Sequence, residues 1–135
     1  MSSLAEILKS KGKTITGSDG VASNVTKALE NIGIQVSIGQ KAENITPDTD
    51  LIVYTAAVKE DNPELMAARA SGIETVDRAA LVGMMMLEYK FPLSVAGTHG
   101  KTTTSSLVTE IFLEANTNPT VSIGGILPSI KGNYK

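Results

Sequence analysis

The sequence predicts an α/β fold in two parts: a Rossmann-like parallel sheet over residues 1–90, then the start of a second α/β domain over residues 91–135. Three observations predict it. Helix and strand patterns alternate along the first 90 residues. The strand pattern at 50–55 contains the continuous apolar run that is typical of buried parallel strands. Finally, residues 97–104 have the composition of a phosphate-binding loop.

The chain opens with an amphipathic helix pattern over residues 3–11, which Gly12 ends. Lys13–Thr16 predicts a short strand, and Gly17–Gly20 predicts a polar turn. A nucleotide-binding α/β unit usually begins with a strand and a glycine-rich turn before its first helix. Because this chain begins on the helix, we expect the first strand of the sheet to lie outside this sequence. The apolar face of the helix is formed by Leu4, Ile7 and Leu8.

The next helix is expected to begin at Ser23 or Asn24, since either side chain can cap it, and to run to about Asn31 before Gly33. Residues 34–38 then predict a strand. The helical face that we expect to be buried carries Val25, Leu29 and Ile32.

A second strand–helix–strand unit follows over residues 50–76. Its helix opens at Asn62, has Pro63 at the first position and closes at Gly72, before a short strand at 74–76. Residues 79–88 predict a further helix, in which Met84–Met86 are expected to fill the core. Tyr89–Pro92 marks the boundary between the two expected domains.

In the second segment, Leu93–Ala96 predicts an apolar strand that leads directly into Gly97-Thr98-His99-Gly100-Lys101-Thr102-Thr103. Val95 occupies the first glycine position of the full phosphate-loop pattern, so a shortened pattern remains. A helix to about Ala115 and a strand at 119–123 follow, with no closing element after Gly124-Gly125. The simpler alternative is a strand–turn–helix whose glycine, lysine and threonine residues only cap a helix.

Each residue type in this loop has a chemical reason. Gly97 and Gly100 allow the backbone to come close to a polyphosphate. Amide hydrogens of the loop and of the helix N-terminus would then point at the anion. Lys101 can neutralise the β and γ phosphates, and the Thr102 hydroxyl can ligate Mg²⁺. The pattern therefore favours a protein that handles ATP or GTP.

Composition excludes several classes of function. With 135 residues, 41% hydrophobic and 19% charged, the chain has the composition of a soluble globular protein. A net charge of −2 without a basic block does not indicate nucleic-acid binding. The absence of cysteine excludes disulfides and thiolate chemistry and is compatible with a cytoplasmic location. We find neither a membrane-spanning apolar run nor a signal-peptide pattern.

Taken together, these segments resemble the Mur ligases of peptidoglycan synthesis. Residues 96–104 resemble the ATP loop of that family, and His99 favours its alanine-adding members over the later-acting ones. The matches follow the family's order along the whole chain. The other segments that resemble the family are 1–6, Gly17-Ser18-Asp19, 53–58 followed by 61–64, and Ile123-Gly124-Gly125.

The resemblance implies ATP-dependent amide formation, in which the carboxylate of UDP-N-acetylmuramate is phosphorylated and then attacked by the amine of L-alanine. Lys101 would be the catalytic residue that stabilises charge on the transferring phosphate, and Thr102 would ligate Mg²⁺. Backbone amides of the loop would bind the phosphates of ATP. The resemblance gives this ATP loop as Gly97, Thr98, His99, Gly100, Lys101, Thr102 and Thr103.

The UDP-sugar side would lie at the carboxyl ends of the parallel strands, with Ser18, Asp19, Thr55, Ala57 and Asn62 as its candidates. For Asp19 a turn residue is the alternative, for Asn62 a helix cap, and for His99 an exposed loop residue. Ala56 stands where the family commonly has a hydroxyl residue.

The chain also lacks parts of the family pattern. The first strand and its glycine turn, the rest of the ATP domain and the C-terminal domain are absent, so we expect an inactive fragment. The recycling ligase that joins a murein peptide to UDP-N-acetylmuramate is the alternative enzyme. A non-catalytic nucleotide-binding module is the alternative of a different class. An unrelated small phosphate-loop kinase or GTPase is disfavoured, because about 95 residues of α/β pattern precede the loop.

Overall fold

The structure is a computed structural model that describes all 135 residues. The chain divides into two compact units, Met1–Lys90 and Phe91–Lys135. Both combine helices with strands, and the predicted α/β class is confirmed. The ligand that each unit binds stays a prediction.

The first unit contains four helices and four strands. Parallel strands follow one another through a helix, which is the arrangement that the alternating patterns predicted. A 3₁₀ helix, Ala42–Asn44, lies between its two halves. In chain order the elements are α1 Ser2–Ser10, β1 Thr16–Asp19, α2 Asn24–Asn31, β2 Gln35–Ile38, β3 Leu51–Tyr54, α3 Pro63–Ala70, β4 Glu74–Asp77 and α4 Arg78–Met86.

The strands of the first unit form two separate parallel pairs. β1 pairs with β2 from Thr16 opposite Gln35 to Asp19 opposite Ile38. β3 pairs with β4 in the same sense, so that the carboxyl ends of β3 and β4 lie side by side. The expected parallel pairing is confirmed, but the four strands do not form one continuous hydrogen-bonded sheet. All four residues of β3 are half-buried and none is fully covered.

The predicted position of β1, the first strand within this sequence, was wrong. A strand was expected at Lys13–Thr16 and a turn at Gly17–Gly20, whereas β1 runs from Thr16 to Asp19. Glycine, serine and aspartate favour turns locally, but hydrogen bonds to β2 override that preference. Ser18 and Asp19 consequently lie at the carboxyl end of a parallel strand.

Two helix starts are confirmed. Ser23 caps α2 in a capping box: its Oγ accepts from the Thr26 backbone N–H at 3.2 Å, and its own N–H donates to Thr26 Oγ1 at 2.9 Å. The Asn62 side chain caps α3, and Pro63 occupies the first helical position.

The predicted buried face of α2 was wrong. Val25 is 53% exposed and Ile32 43% exposed, whereas Thr26 is buried at 3%. Thr26 takes the inward position because the capping box satisfies its hydroxyl. Successive helical residues are about 100° apart, so Val25 points away from the core.

The core of the first unit is aliphatic. Met85 is buried and fills the core as expected, but Met84 is 43% exposed, so that prediction was wrong for Met84. The two methionines are adjacent on α4 and cannot face the same side. The buried apolar side chains of this unit are Leu4, Ile7, Ile34, Leu65, Ala68, Leu81 and Met85.

The second unit is a helix with an antiparallel strand pair: α5 Lys101–Glu114, β5 Ser122–Leu127 and β6 Gly132–Tyr134. A 3₁₀ turn, Pro128–Ile130, joins the two strands, and Lys131 reverses the chain with a φ of 53°. The core of this unit consists of Val121, Ile123 and Leu127, with Ile130 packed against them.

Three predictions for this unit were wrong. Leu93–Ala96 forms no strand, and Leu93 is 62% exposed. An extended segment becomes a strand only when a neighbour supplies ladder hydrogen bonds, and no segment pairs with this one. The strand expected at 119–123 begins and ends later, at Ser122 and Leu127. A closing element does exist after Gly124-Gly125, because β5 continues and β6 pairs with it.

None of the helices combines the length and the apolar composition that crossing a bilayer requires.

Candidate functional site

In the second unit, the loop at 97–100 turns directly into the N-terminus of α5. Gly100 is the residue before the helix and has left-handed backbone angles, φ 73° and ψ 2°, which favour glycine. It offers no side chain to cap the helix. The first internal hydrogen bond runs from the Thr104 N–H to the Gly100 carbonyl at 2.8 Å. The amides of Lys101, Thr102 and Thr103 therefore lack intrahelical acceptors and can serve an anion.

The loop is tightly folded around the lysine. A Cβ added at Gly97 would lie 3.3 Å from the His99 carbonyl oxygen, closer than most side chains approach. The Lys101 Nζ donates to the carbonyl oxygen of Gly97 at 2.6 Å and to that of Thr98 at 3.3 Å. This holds the ammonium against the loop that leads into the free helix amides, so one short segment carries both the lysine charge and the positive end of the helix dipole. His99 and Thr98 are exposed.

The Thr102 hydroxyl is the candidate metal ligand. No group of three or more histidine, cysteine, aspartate or glutamate side chains in the chain could hold a metal ion. A magnesium ion characteristically keeps several waters and binds through few protein oxygens together with substrate phosphates. The residues present therefore fit a cation that arrives with a phosphate, and not a site built from protein ligands alone.

In the first unit, Glu64 joins three segments. The Ser18 Oγ donates to Glu64 Oε1 at 2.8 Å, and the Asn44 Nδ2 donates to Glu64 Oε2 at 3.1 Å. The same Asn44 amide donates to the Gly39 carbonyl at 2.9 Å. Glu64 thus connects the end of β1, the 3₁₀ helix Ala42–Asn44 and the first turn of α3, and Ser18, Asn44 and Glu64 are all half-buried.

Asn62 adds a second connection at this end of the strands. Its Oδ1 accepts from the N–H groups of Glu64 and Leu65 at 3.0 and 3.1 Å, and its Nδ2 donates to Gln40 Oε1. Asn62 is thus a helix cap whose amide also binds the segment after β2. The structure brings Ser18 and Asn62 together through these partners.

The other three candidates of this unit lie outside that network. The Asp19 carboxylate accepts from the Val21 N–H at 3.2 Å, which is the turn role that was its alternative. Thr55 and Ala57 lie in the loop between β3 and α3, where the Thr55 carbonyl accepts from the Val58 N–H at 3.0 Å. Ala57 is exposed.

Sequence reasoning missed Glu64, Asn44 and Gln40. An acidic residue in the first turn of a helix is ordinarily explained by the helix dipole alone, so Glu64 gave no separate signal. Its two partners lie 46 and 20 residues away along the chain. No spacing rule connects positions that far apart, because only the fold brings them together.

The chain is similar to known proteins. A model described as the Mur ligase family, catalytic domain, matches residues 1–90. The UDP-N-acetylmuramate–L-alanine ligases of Agathobacter rectalis and Acetivibrio thermocellus are 56% and 53% identical to the chain over all 135 residues. The chain covers 29% of the length of each of these two relatives.

Solved structures agree in fold. The UDP-N-acetylmuramate-alanine ligase of Thermotoga maritima is 34% identical with a TM-score of 0.89, and the match covers 100% of this chain and 32% of that protein. The UDP-N-acetylmuramate:L-alanyl-gamma-D-glutamyl-meso-diaminopimelate ligase of Neisseria meningitides is 28% identical with a TM-score of 0.90. That match covers 99% of this chain and 42% of the Neisseria protein.

Proposed function

The chain belongs to the Mur ligase family, and from this premise we propose that it serves the ATP-dependent ligation of L-alanine to UDP-N-acetylmuramate in peptidoglycan synthesis. Relatives that carry this activity in their names are 48–56% identical over the whole chain. Because the chain covers 29% of the first relative's length, it would form part of the ligase and would not catalyse the reaction by itself. Because ATP and UDP-linked precursors are cytoplasmic compounds, the reaction would take place in the cytoplasm.

The single observation that carries the proposal is the position of Lys101. Lys101 opens α5 directly after the left-handed Gly100, and its Nζ lies 2.6 Å from the Gly97 carbonyl oxygen in the loop that leads into the free amides of the first turn. That arrangement suits the β and γ phosphates of ATP. In the ligase, Lys101 would stabilise the charge on the phosphate that passes to the muramate carboxylate.

Thr102 and the loop backbone complete this half of the site. The Mg²⁺ that accompanies ATP would supply charge neutralisation at the phosphates. The Thr102 hydroxyl would hold one position of that ion, and the amides of residues 97–103 would orient the phosphates. The chain's own contribution is thus orientation and electrostatic stabilisation.

The first unit would bind the UDP part of UDP-N-acetylmuramate. Ligands of parallel α/β sheets bind beyond the carboxyl ends of the strands, where β1 and β3 place Ser18, Asp19 and Thr55. Ala57 and Asn62 follow in the loop before α3. The hydrogen bonds of Glu64 and Gln40 would hold Ser18 and Asn62 in position for that ligand.

A Lys101→Ala substitution tests the ATP assignment. We expect the affinity of the chain for ATP in the presence of Mg²⁺ to fall by about tenfold or more, since one charge-assisted contact to phosphate is lost. Isothermal titration calorimetry measures the affinity, and far-UV circular dichroism checks the fold. Lys27→Ala, at an exposed position on α2, is the matched control and should bind as wild type does. Equal affinity of wild type and Lys101→Ala would remove the assignment.

The Neisseria structure favours a second candidate, the ligation of a murein tripeptide. Phosphate release by a full-length ligase that includes this chain separates the two, when it is measured with ATP, UDP-N-acetylmuramate and either L-alanine or L-alanyl-gamma-D-glutamyl-meso-diaminopimelate. Release with the tripeptide alone would favour the second candidate. If that full-length protein retains ATP affinity without release in either case, a non-catalytic nucleotide-binding module is supported.

A further inference from the structure

Strand β5 passes the N-terminus of α5 with two glycines. A Cβ added at Gly125 would lie 3.0 Å from the Thr102 Cγ2, and one added at Gly124 would lie 3.5 Å from the Thr102 Oγ1. Carbon atoms normally rest about 3.5–4.0 Å apart. The Thr102 methyl group thus occupies space that any side chain at position 125 would need.

The geometry of threonine links this contact to the hydroxyl. Threonine carries its methyl and its hydroxyl on the same Cβ, and its χ1 rotation is restricted. A push against Cγ2 therefore turns Oγ1 as well. Thr102 is exposed at the start of α5, so it can relieve the contact by rotating away from the strand.

The backbone of β5 is irregular where these two glycines lie. The register of β5 against β6 is irregular between Ser122 and Leu127, the stretch that contains both glycines. Glycine inside a strand weakens it and often marks a place where another group comes close. Here the group that comes close is the Thr102 side chain.

We propose that Gly125 is a positioning residue for magnesium: the missing side chain at 125 lets Thr102 hold its hydroxyl in the orientation that ligates the Mg²⁺ of bound ATP. This inference rests on the proposed nucleotide site and assigns to it a residue from a separate strand. Gly125 itself touches neither ATP nor the metal.

The test compares ATP affinity with Mg²⁺ and with EDTA, for wild type and for Gly125→Ala. We expect Gly125→Ala to lose most of the gain in affinity that Mg²⁺ brings, about tenfold, while the affinity in EDTA stays within about twofold of wild type. Gly132→Ala is the matched control in the paired strand, since its Cβ would meet nothing closer than 3.9 Å. It should keep the full effect of Mg²⁺.

A second variant separates positioning from general damage to the strand. Thr102→Ser keeps the hydroxyl and removes the methyl that the new Cβ would meet. Gly125→Ala combined with Thr102→Ser should therefore recover the effect of Mg²⁺. If the double variant stays defective, or if neither Gly125→Ala variant folds, the glycine serves the strand backbone and the inference is overturned.

The remaining outcomes are also decisive. If wild type binds ATP with a clear effect of Mg²⁺ and Gly125→Ala does the same, the inference fails and the proposed function stands. If wild type binds no ATP under either condition, the proposed function fails and takes the inference with it.

Discussion

At the scale of single residues, Glu64 links the local and the long-range structure of the first unit. Its carboxylate accepts hydrogen bonds from Ser18 and Asn44, while its backbone N–H is capped by Asn62. All of these groups are half-buried, where a polar group without a partner costs free energy. The residues that would face the UDP-sugar are therefore held by a side chain that need not touch it.

Replacing Glu64 with alanine tests this connection. Ser18 and Asn44 would each lose an acceptor, so we expect the free energy of unfolding to fall by about 1–3 kcal/mol, nearer the lower figure because water can reach both groups. Urea denaturation measures it. Glu43→Ala, an exposed glutamate next to Asn44, is the control and should change little. A loss no greater than that of the control would contradict the role of Glu64.

At the scale of elements, one ion pair joins the ends of two helices. The Lys11 Nζ, just after α1, lies 2.6 Å from Glu88 Oε2 and 4.4 Å from the centroid of the Tyr89 ring, both just after α4. The hydrogen bond from Lys11 holds the pKa of Glu88 below its usual value, and the hydrogen bond to Glu88 raises the pKa of Lys11. The two groups are 77 residues apart in the chain.

The pH dependence of this pair follows from the directions of the two shifts. Glu88 has a lowered pKa in the folded state, so its stabilisation is present above the ordinary glutamate pKa and is lost as pH falls through the folded value. Lys11 has a raised pKa, so its stabilisation is present below the ordinary lysine pKa and is lost as pH rises through the folded value. The ion pair therefore stabilises the fold across the neutral pH range, between the pKa of Glu88 and the pKa of Lys11 in the folded state.

A Glu88→Gln variant is expected to melt slightly below wild type at pH 7 and at the same temperature in acid, where Glu88 is protonated in both states. The difference at pH 7 is expected to be small and to shrink with added salt, because the pair is solvent-exposed. Thermal melts of both proteins at the two pH values measure it. A difference that persists unchanged in acid would show that Glu88 acts through packing and not through charge.

At the scale of the whole molecule, the accessible surface is large for the chain length. It is 9176 Å², against about 8,000 Å² for two separate globules of the sizes of the two units. Several large apolar side chains contribute to it, each more than 60% exposed: Val21, Leu87, Phe91, Leu93, Leu107, Ile111 and Ile126. Little apolar surface is therefore removed from water to oppose the conformational entropy of the chain.

We expect the chain to be marginally stable on its own, with a broad thermal transition below the range of about 45–65 °C in which mesophilic domains melt. ATP with Mg²⁺ should raise the midpoint, since a ligand that binds only the folded state stabilises it. Differential scanning calorimetry with and without nucleotide measures both effects. A sharp cooperative transition above about 65 °C, from a species that size-exclusion chromatography shows to be monomeric, would contradict the expectation.

Local signals in the sequence predicted local features correctly. The cap residues Ser23 and Asn62, the proline at the start of α3 and the glycine–lysine–threonine start of α5 all lie where the sequence placed them. Each depends on interactions between residues at most four positions apart. The alternation of strands and helices, and with it the α/β class, follows from the same short-range periodicities.

The sequence by itself thus determined the class of fold, the helix starts and the loop that leads into α5. Only the tertiary structure decided that Thr16–Asp19 is a strand, that Leu93–Ala96 is not, and that Glu64 and Gly125 stand beside candidate site residues. The physical reason is the range of the interactions. A strand depends on hydrogen bonds to a partner, and a close approach depends on two elements that packing brings together, so neither is encoded in the spacing of neighbouring residues.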